Sequence, residues 1–484
     1  MSDPSTKIKR VAVIGGGITG LAAAHRIHEL DPQVEVVLVE SSDRLGGAIQ
    51  TVQFDQFLVE RGPDMFTTKD DDALNLCQRL GCDSELIETN TSHRRAFVVR
   101  RNRLYPVPAG FTLLSPSRIL PLLSTGLLSP LGKLRVLAEY WVSTRRETSD
   151  ESLANFTRRR FGNEMFERIV QPLVGGIYTA DPEKLSMQAT LAQFVEMEQV
   201  HGGLIRGGRR ARQTAKTQAD ESGARYGMFL TLRNGLSDLV DRVTQQLPAG
   251  SIHLDTSVKR VTGNEHDGWV LDLAAGNQLE QDQVACDGVI VATPVHVAAR
   301  LLATVDEPLS SQLGQVQAAS SAVVISGYRR EAISHPLDGF GFVVPAREKR
   351  SILAASFSSV KFAGRAPEGH VLVRTFVGGA RQPEILLKDD DEIQSLVHHE
   401  LADLIGVQEG ALINEVVRWD NAMPQYHLQH LDRVAEIERG CARYPGLEIA
   451  GNGLRGVGIP QCIRSGESAA GRLIDSWHQP SLSS

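Results

Sequence analysis

Apolar residues first gather in "KRVAVIG", Lys9–Gly15, and again in "VEVVLVE", Val34–Glu40. Both runs are continuous rather than alternating, the pattern of strands covered on both faces of a parallel sheet. Between them "TGLAAAHRIHEL" predicts a helix from Thr19 to Leu30, small on one side so that it packs close to the sheet. Strand, helix and strand in this order make a βαβ unit. From Leu104 to Trp141 the texture changes to leucine-rich segments broken by prolines, and helices are expected to start after each break. "DESLANFTRRRFGNEMFERIVQPLVGGIY" keeps a helical period up to Pro172, so about 101–200 reads as a helical insertion.

Short strands return with "YGMFLTLRNG", "SIHLDTSVKRVTG", "GWVLDLA" and "CDGVIVATP", then with "SAVVISGYRR", "GFGFVVPA", "SILAASFSS" and "HVLVRTFVGG". A helix is expected near "DDEIQSLVHHELADLIG". The final unit, "PGLEIAGNGLRGVGIPQCIRSGESAAGRLIDSW", reads as strand, glycine-rich loop and helix, with Pro460 at the first helical position. Nucleotide-type architecture thus returns only at the end of the chain, and the domains must be discontinuous.

Composition adds limits. The 484 residues are 42% hydrophobic and 23% charged, as in ordinary soluble proteins. No uncharged apolar stretch reaches the eighteen or so residues of a membrane span. "MSDPSTKIKR" lacks a signal core, and five cysteines without metal spacing read as reduced thiols, so a cytoplasmic protein is expected. The net charge of −7 argues against nucleic acid as a partner. Residues 91–220 nonetheless carry 20 Lys+Arg against 11 Asp+Glu. This basic middle reads either as a solvated face or as a surface that meets an anion, whether an acidic substrate or a membrane.

The chemistry starts at Gly15-x-Gly17-x-x-Gly20. Gly15 suits a tight turn, Gly17 a close approach of backbone to a pyrophosphate, and Gly20 the packing of helix on strand. Glu40, 20 residues beyond Gly20, stands where a carboxylate accepts from ribose hydroxyls. The bland alternative is a glycine turn with a solvated glutamate. Arg44, Gly46 and Gly47 in "ESSDRLGG" offer a cation and two unhindered backbones to a pyrophosphate's other side, and this RxGG extension resembles the second fingerprint of FAD-binding amine oxidase-type enzymes. "GVGIP", Gly456–Pro460, opens a helix whose N–H groups suit the flavin edge that becomes electron-rich on reduction.

With "ERGPDMF", "QPLVGGIYTADPEKLSMQATLAQF", "RWDNAMPQYHLQH" and "GVGIPQCIRSGESAA" added, the chain resembles the porphyrinogen oxidase family from end to end. The resemblance implies an α/β fold: a Rossmann-like FAD domain (1–75, 225–300, 415–484), a mixed-sheet substrate domain (76–100, 301–414) and a helical, membrane-associating type of domain (101–224). It implies noncovalent FAD, hydride transfer from a porphyrinogen in three rounds, oxygen as acceptor and no side-chain base. The implied flavin contacts are Gly15, Gly17, Thr19, Gly20, Glu40, Arg44, Gly47, Gly62, Pro63, Asp64, Val258, Trp419, Val457, Gly458 and Ile459. The implied substrate residues are Lys69, Arg95, Gly175, Gly176 and Phe357, the last with plain core packing as its alternative. One departure stands out. Organellar members place a propionate-binding arginine where this chain has Ala96, with Arg94, Arg95 and Lys69 nearby. That leans toward a coproporphyrinogen rather than a protoporphyrinogen substrate. Peripheral contact with a membrane or with the next haem-pathway enzyme is a further expectation.

Other features are discounted. His427 and His430, and His398–His399, lack the further ligands a metal site needs. Cys462 reads as a small buried thiol rather than a flavin tether, and "RGGRRARQTAK", Arg206–Lys216, as a mobile, solvated loop. Two rival readings stay open: another FAD oxidase or desaturase of this fold, and a noncatalytic binding protein.

Overall fold

A computed structural model describes residues 8–478 apart from 148, 215–227, 265–267, 277–278 and 280. The two apolar runs form β1 (Arg10–Ile14) and β2 (Glu35–Val39), joined by α1 (Ile18–Leu30). They lie within a five-stranded parallel sheet, in the order Ile252–His253, β2, β1, Gly288–Val291, Leu447–Ile449. Alternate residues of β1 serve opposite faces. Val11 and Val13 join the core with α1 and the last helix, Ile459–His478. Ala12 and Ile14 join the core with the meander 258–286 and the helix Val295–Leu302. Both faces are dry, as the unbroken apolar runs predict. α1 and the last helix touch closely: a Cβ on Gly466 would lie 2.1 Å from the Thr19 carbonyl oxygen.

The second sheet has seven strands, in the order Ile413–Pro424, Ala318–Arg329, His370–Gly378, Ala354–Phe357, Gly341–Val343, Phe97–Arg100, Arg103–Pro106. Its one parallel pairing joins Gly341–Val343 to Phe97–Arg100. The helix Asp390–Ile405 packs its apolar stripe on one face, held at its start by an Asp389–Glu392 capping box. The opposite face carries a small apolar cluster around Phe57, Val323 and Leu372.

Helices fill the insertion after the predicted breaks. Ser129 caps Pro130–Leu137, whose first residue is proline. Two expectations need correction. Pro172 does not end a helix but sits at the start of Gln171–Tyr178, directly after a π turn at Phe166–Val170, whose wider i to i−5 bonding accommodates a residue without an N–H. The Arg206–Lys216 segment is helical through Thr214, in the helix Leu204–Thr214, and its last two residues lie outside the described residues. The cause is a buried carboxylate. Glu139, fully buried and paired with the fully buried Arg160, accepts the first N–H groups of this helix from Leu204 (2.8 Å) and Ile205 (3.3 Å).

Candidate flavin and substrate site

Three residues separate the end of β1 from the start of α1, so Gly15–Gly17 make the turn, fixed by the Gly15 N–H donating to the Val39 carbonyl (2.8 Å). Gly20 faces this turn at close quarters: a Cβ there would lie 1.9 Å from the Gly15 carbonyl oxygen. Gly17 faces open space, its nearest neighbour being Gly47 Cα at 4.0 Å from a built Cβ. The two glycine motifs therefore meet across a gap, bridged at one end by the Gly46 N–H donating to Gly16 (2.8 Å). Glu40 leaves β2 pointing into this turn. It accepts from the Gly16 N–H (2.7 Å) and from both the N–H and hydroxyl of Ser42 (2.9 Å each). The Thr256 N–H donates to the Glu40 carbonyl (2.8 Å), which brings the start of the strand carrying Val258 alongside. Arg44 is a strut, donating to the carbonyls of Gly47 (2.7 Å), Leu45 (3.2 Å) and Ile49 (3.3 Å). Open space beside Gly17 at the start of α1, with a carboxylate at the end of β2, fits the phosphates and ribose of a dinucleotide.

Beneath Gly62–Asp64 lies a set of charges that sequence reasoning missed. Asp64 is paired with Lys361 (2.5 Å) and Arg374 (3.1 Å), and all three are buried. Arg374 also donates to the Gly62 carbonyl. Arg365, 2% exposed, donates to the carbonyls of Arg233 (2.9 Å) and Leu232 (2.8 Å). Glu60, buried, accepts from Thr51 and from the Leu236 N–H, both at 2.8 Å. Burial would push the Asp64 carboxyl up, but Lys361 and Arg374 outweigh it and hold it at about 2. Burial pushes the Lys361 ammonium down, against the pull of Asp64. Three cations against two carboxylates leave a positive environment under the Gly62–Pro63 backbone. Trp419 closes the other side, its indole N–H donating to the Arg61 carbonyl (3.1 Å).

The last helix starts at Ile459, so Pro460 is its second residue rather than its first. The preceding loop carries Val457 and Gly458, and the Cys462 N–H donates to the Gly458 carbonyl (3.0 Å). Burial raises the Cys462 thiol to about 11, against its bond to Thr19, and keeps it protonated. Arg464 pairs with Asp70 (3.0 Å) and Asp72, and Gln461 donates to Asp70, tying the loop that bears Lys69 to this helix.

Lys69 itself donates to the neutral amide of Gln193, and among the described residues no carboxylate pairs with it. Arg95 is engaged by Asp338, and Arg94 by Glu88 (3.2 Å) and the Thr89 carbonyl (3.3 Å). Gly175 and Gly176 lie in the last turn of Gln171–Tyr178, and the Gly175 carbonyl already accepts from Thr179 (2.9 Å). Phe357 belongs to the core: it is 0% exposed and packed edge-on to Phe342 at 6.0 Å, so it offers no free face for stacking. It shares an apolar cluster with Phe342, Val373 and residues of the helix Asp390–Ile405.

No His, Cys, Asp and Glu grouping able to hold a metal occurs among the described residues. His430 is buried, its Nε2 hydrogen-bonded to the Leu454 carbonyl (2.8 Å), and burial lowers its imidazole from 6.5 to about 4 despite that bond. The unfolded chain therefore takes up this proton first. The contribution of neutral His430 is complete above pH 6.5 and falls by up to about 3 kcal/mol as pH drops from 6.5 toward 4. Thermal melts of parent and His430→Gln across that window should show a shallower acid slope in the variant; parallel slopes would refute the assignment.

The paired glycine turns and the two sheets define an α/β scaffold built around a nucleotide cofactor. The chain matches the flavin containing amine oxidoreductase family over residues 18–474, and it belongs to that family. It is 35% identical over 466 residues to coproporphyrinogen III oxidase of Bacillus subtilis (strain 168), spanning 95% of this chain and 97% of that protein. It is 27% identical over 489 residues to protoporphyrinogen oxidase 2 (chloroplastic/mitochondrial) of Arabidopsis thaliana, spanning 96% and 94%. The crystal structure of an Exiguobacterium sp. 255-15 protein, described as a protoporphyrinogen oxidase candidate, superposes with a TM-score of 0.85 at 30% identity, covering 99% of this chain and 100% of that one.

Proposed function

We propose that this chain is an FAD-dependent porphyrinogen oxidase of haem biosynthesis, converting coproporphyrinogen III, protoporphyrinogen IX or both to the porphyrin with oxygen as acceptor. The end-to-end match to proteins named coproporphyrinogen III oxidase carries the reading. In it, Gly15, Gly17 and Gly20 seat the pyrophosphate at the start of α1, Thr19 lines that turn, Glu40 receives the ribose, and Val258 borders the adenine end. Arg44 acts by holding the Gly47 turn. Gly62, Pro63, Asp64 and Trp419 lie along the flavin ring, with Val457, Gly458 and Ile459 at its far edge. FAD, once bound, supplies the hydride acceptor for each of three two-electron oxidations. The protein orients the macrocycle, excludes water and favours negative charge on the ring by the cations under Gly62 and the N–H groups of the last helix. Lys69 is the propionate anchor best placed to act, since among the described residues its charge has no carboxylate partner, and the exposed side of Arg95 supplements it. This weights the reading toward the substrate with more propionates.

Two of the three proposed domains, for FAD (1–75, 225–300, 415–484) and for substrate (76–100, 301–414), are discontinuous, the helical one (101–224) is continuous, and Arg103–Pro106 and Ile413–Pro424 pair into the seven-stranded sheet across the borders at 101 and 415. A steady-state assay with both porphyrinogens, followed by porphyrin fluorescence, tests the reading; turnover of neither would overturn it in favour of another oxidase or a desaturase of this fold. A protein without flavin colour would favour the noncatalytic binding protein.

No helix among the described residues is long and apolar enough to cross a membrane. The helical domain does expose Leu120 (80%), Leu131 (78%) and Trp141 (82%) close in sequence to Arg118 and Lys133. This pairing of apolar and basic groups supports peripheral contact with an anionic membrane, or with the next enzyme of the pathway. Flotation with anionic liposomes is expected to carry the protein upward, and Leu120→Ser/Trp141→Ser to reduce it by at least about a hundredfold, on a transfer cost of roughly 1.5–3 kcal/mol for each of the two apolar side chains. No flotation of the parent would remove the membrane contact.

A further inference from the structure

We infer that Tyr426 and His430 are positioning residues: their rings hold the loop 451–458 in the shape that presents its backbone and the start of the last helix to the flavin. The inference rests on the flavoprotein reading above. Both residues belong to "MPQYHLQH", a stretch whose role the cofactor cradle leaves unexplained.

The rings stack with centroids 4.0 Å apart and planes 14° apart, and both are buried, at 2% and 0% exposure. Between them they place three polar contacts on alternate residues of one loop. The Tyr426 hydroxyl donates to the Asn452 carbonyl and accepts from the Gly456 N–H at 2.8 Å. His430 Nε2 donates to the Leu454 carbonyl at 2.8 Å, which selects the neutral tautomer with its proton on Nε2. The other ring nitrogen, Nδ1, is buried and has no hydrogen-bond partner among the described residues. The upstream end of the loop is pinned separately, by the Gly451 N–H donating to Ser465 Oγ on the last helix (3.0 Å).

Buried polar atoms cost stability unless they are bonded, and a phenylalanine stack would fill this space without them. All three of these bonds fall on one irregular loop, so together they satisfy and fix backbone that no strand or helix partners. The same segment is anchored on its other side to the helical domain. The Ser186 N–H donates to the Tyr426 carbonyl (2.8 Å), the Leu428 N–H to the Lys184 carbonyl (2.9 Å), and Gln425 Nε2 to the Tyr178 carbonyl (3.3 Å), at the end of the helix that carries Gly175 and Gly176. The segment therefore sets the flavin-side loop relative to the substrate-side helix, so a loosened loop changes the cofactor's environment as well as its affinity.

Tyr426→Phe keeps the stack and removes the hydroxyl. Titrating the apoprotein with FAD by flavin fluorescence should show a dissociation constant raised about tenfold, with an altered visible flavin spectrum and a lowered midpoint potential. The melting temperature of the apoprotein should stay within about 5 °C of the parent. Tyr426→Phe with parental affinity, spectrum and potential would overturn the inference. If that variant does not fold, His430→Gln, whose amide can still donate to Leu454, is compared with His430→Leu. Leucine should weaken FAD about tenfold and glutamine less than roughly threefold; equal affinities would overturn the inference. Failure of the parent itself to bind FAD would be a failure of the flavoprotein reading, seen before any variant is made.

Discussion

Asp64→Leu is expected to destabilise the protein by about 3–5 kcal/mol, because it leaves Lys361 and Arg374 buried without their counter-ion. An exposed ion pair is worth at most about 1 kcal/mol, so the size of the loss depends on burial. Lys361 is 5% exposed and Arg374 2%, with Arg365 adding further positive charge nearby. Melting curves of the apoprotein would read the effect, and Asp64→Leu/Lys361→Met should recover part of it by removing the stranded ammonium. A single variant as stable as the parent would show that water reaches the cluster. The parent carries its own signature. Against burial, Lys361 and Arg374 hold the folded Asp64 carboxyl at about 2, below its unfolded 3.8, so its contribution is complete above pH 3.8 and disappears as pH falls toward 2, on the order of 2 kcal/mol in all.

This cluster also marks the limit of what the sequence made legible. β1, α1 and β2 could be read within a residue because unbroken apolar runs have one structural meaning when a glycine turn and a small-faced helix separate them. The place of Glu40 at the end of β2 beside the glycine turn could be read because its partner, the Gly16 N–H, lies on the same βαβ unit. Lys361 and Arg374 could not. They meet Asp64 across about 300 residues, and in sequence each is a single cation in a strand-rich segment. The only local hint was a lysine in "SSVKFAGR" beside residues that read as core. The Leu204–Thr214 helix escaped for the same reason, since Glu139, which caps it, lies in a different segment. Tyr426 and His430 were visible as a motif, but histidine spacing invites a metal test, and their actual work on the loop backbone shows only in three dimensions. Phe357 shows the converse: a lone aromatic suggested stacking on a ligand, and the sheet turned it into the core.

The second large effect separates fold from cofactor at two glycines three residues apart. Gly20→Ala places a methyl 1.9 Å from the Gly15 carbonyl and 3.3 Å from Val13 Cγ1. The first obstacle is backbone, so α1 must move away from the end of β1, at a cost in the range of about 1–3 kcal/mol or more for an overpacked core. The shift displaces the same N–H groups that receive the pyrophosphate, and FAD affinity should fall by at least about a hundredfold, or roughly 2.7 kcal/mol. Gly17→Val tests the other half. A Cβ at Gly17 meets nothing nearer than Gly47 Cα at 4.0 Å, so the fold has room for it. If the gap between the two glycine turns is where the pyrophosphate passes, the valine apoprotein should melt within about 5 °C of the parent yet take up no FAD. Gly20→Ala should lose both stability and cofactor, and Gly17→Val cofactor alone. Isothermal titration of FAD into each apoprotein, beside their melting curves, reads both quantities. Parental FAD affinity in Gly17→Val would place the phosphates elsewhere and leave the glycine turn with a purely structural role.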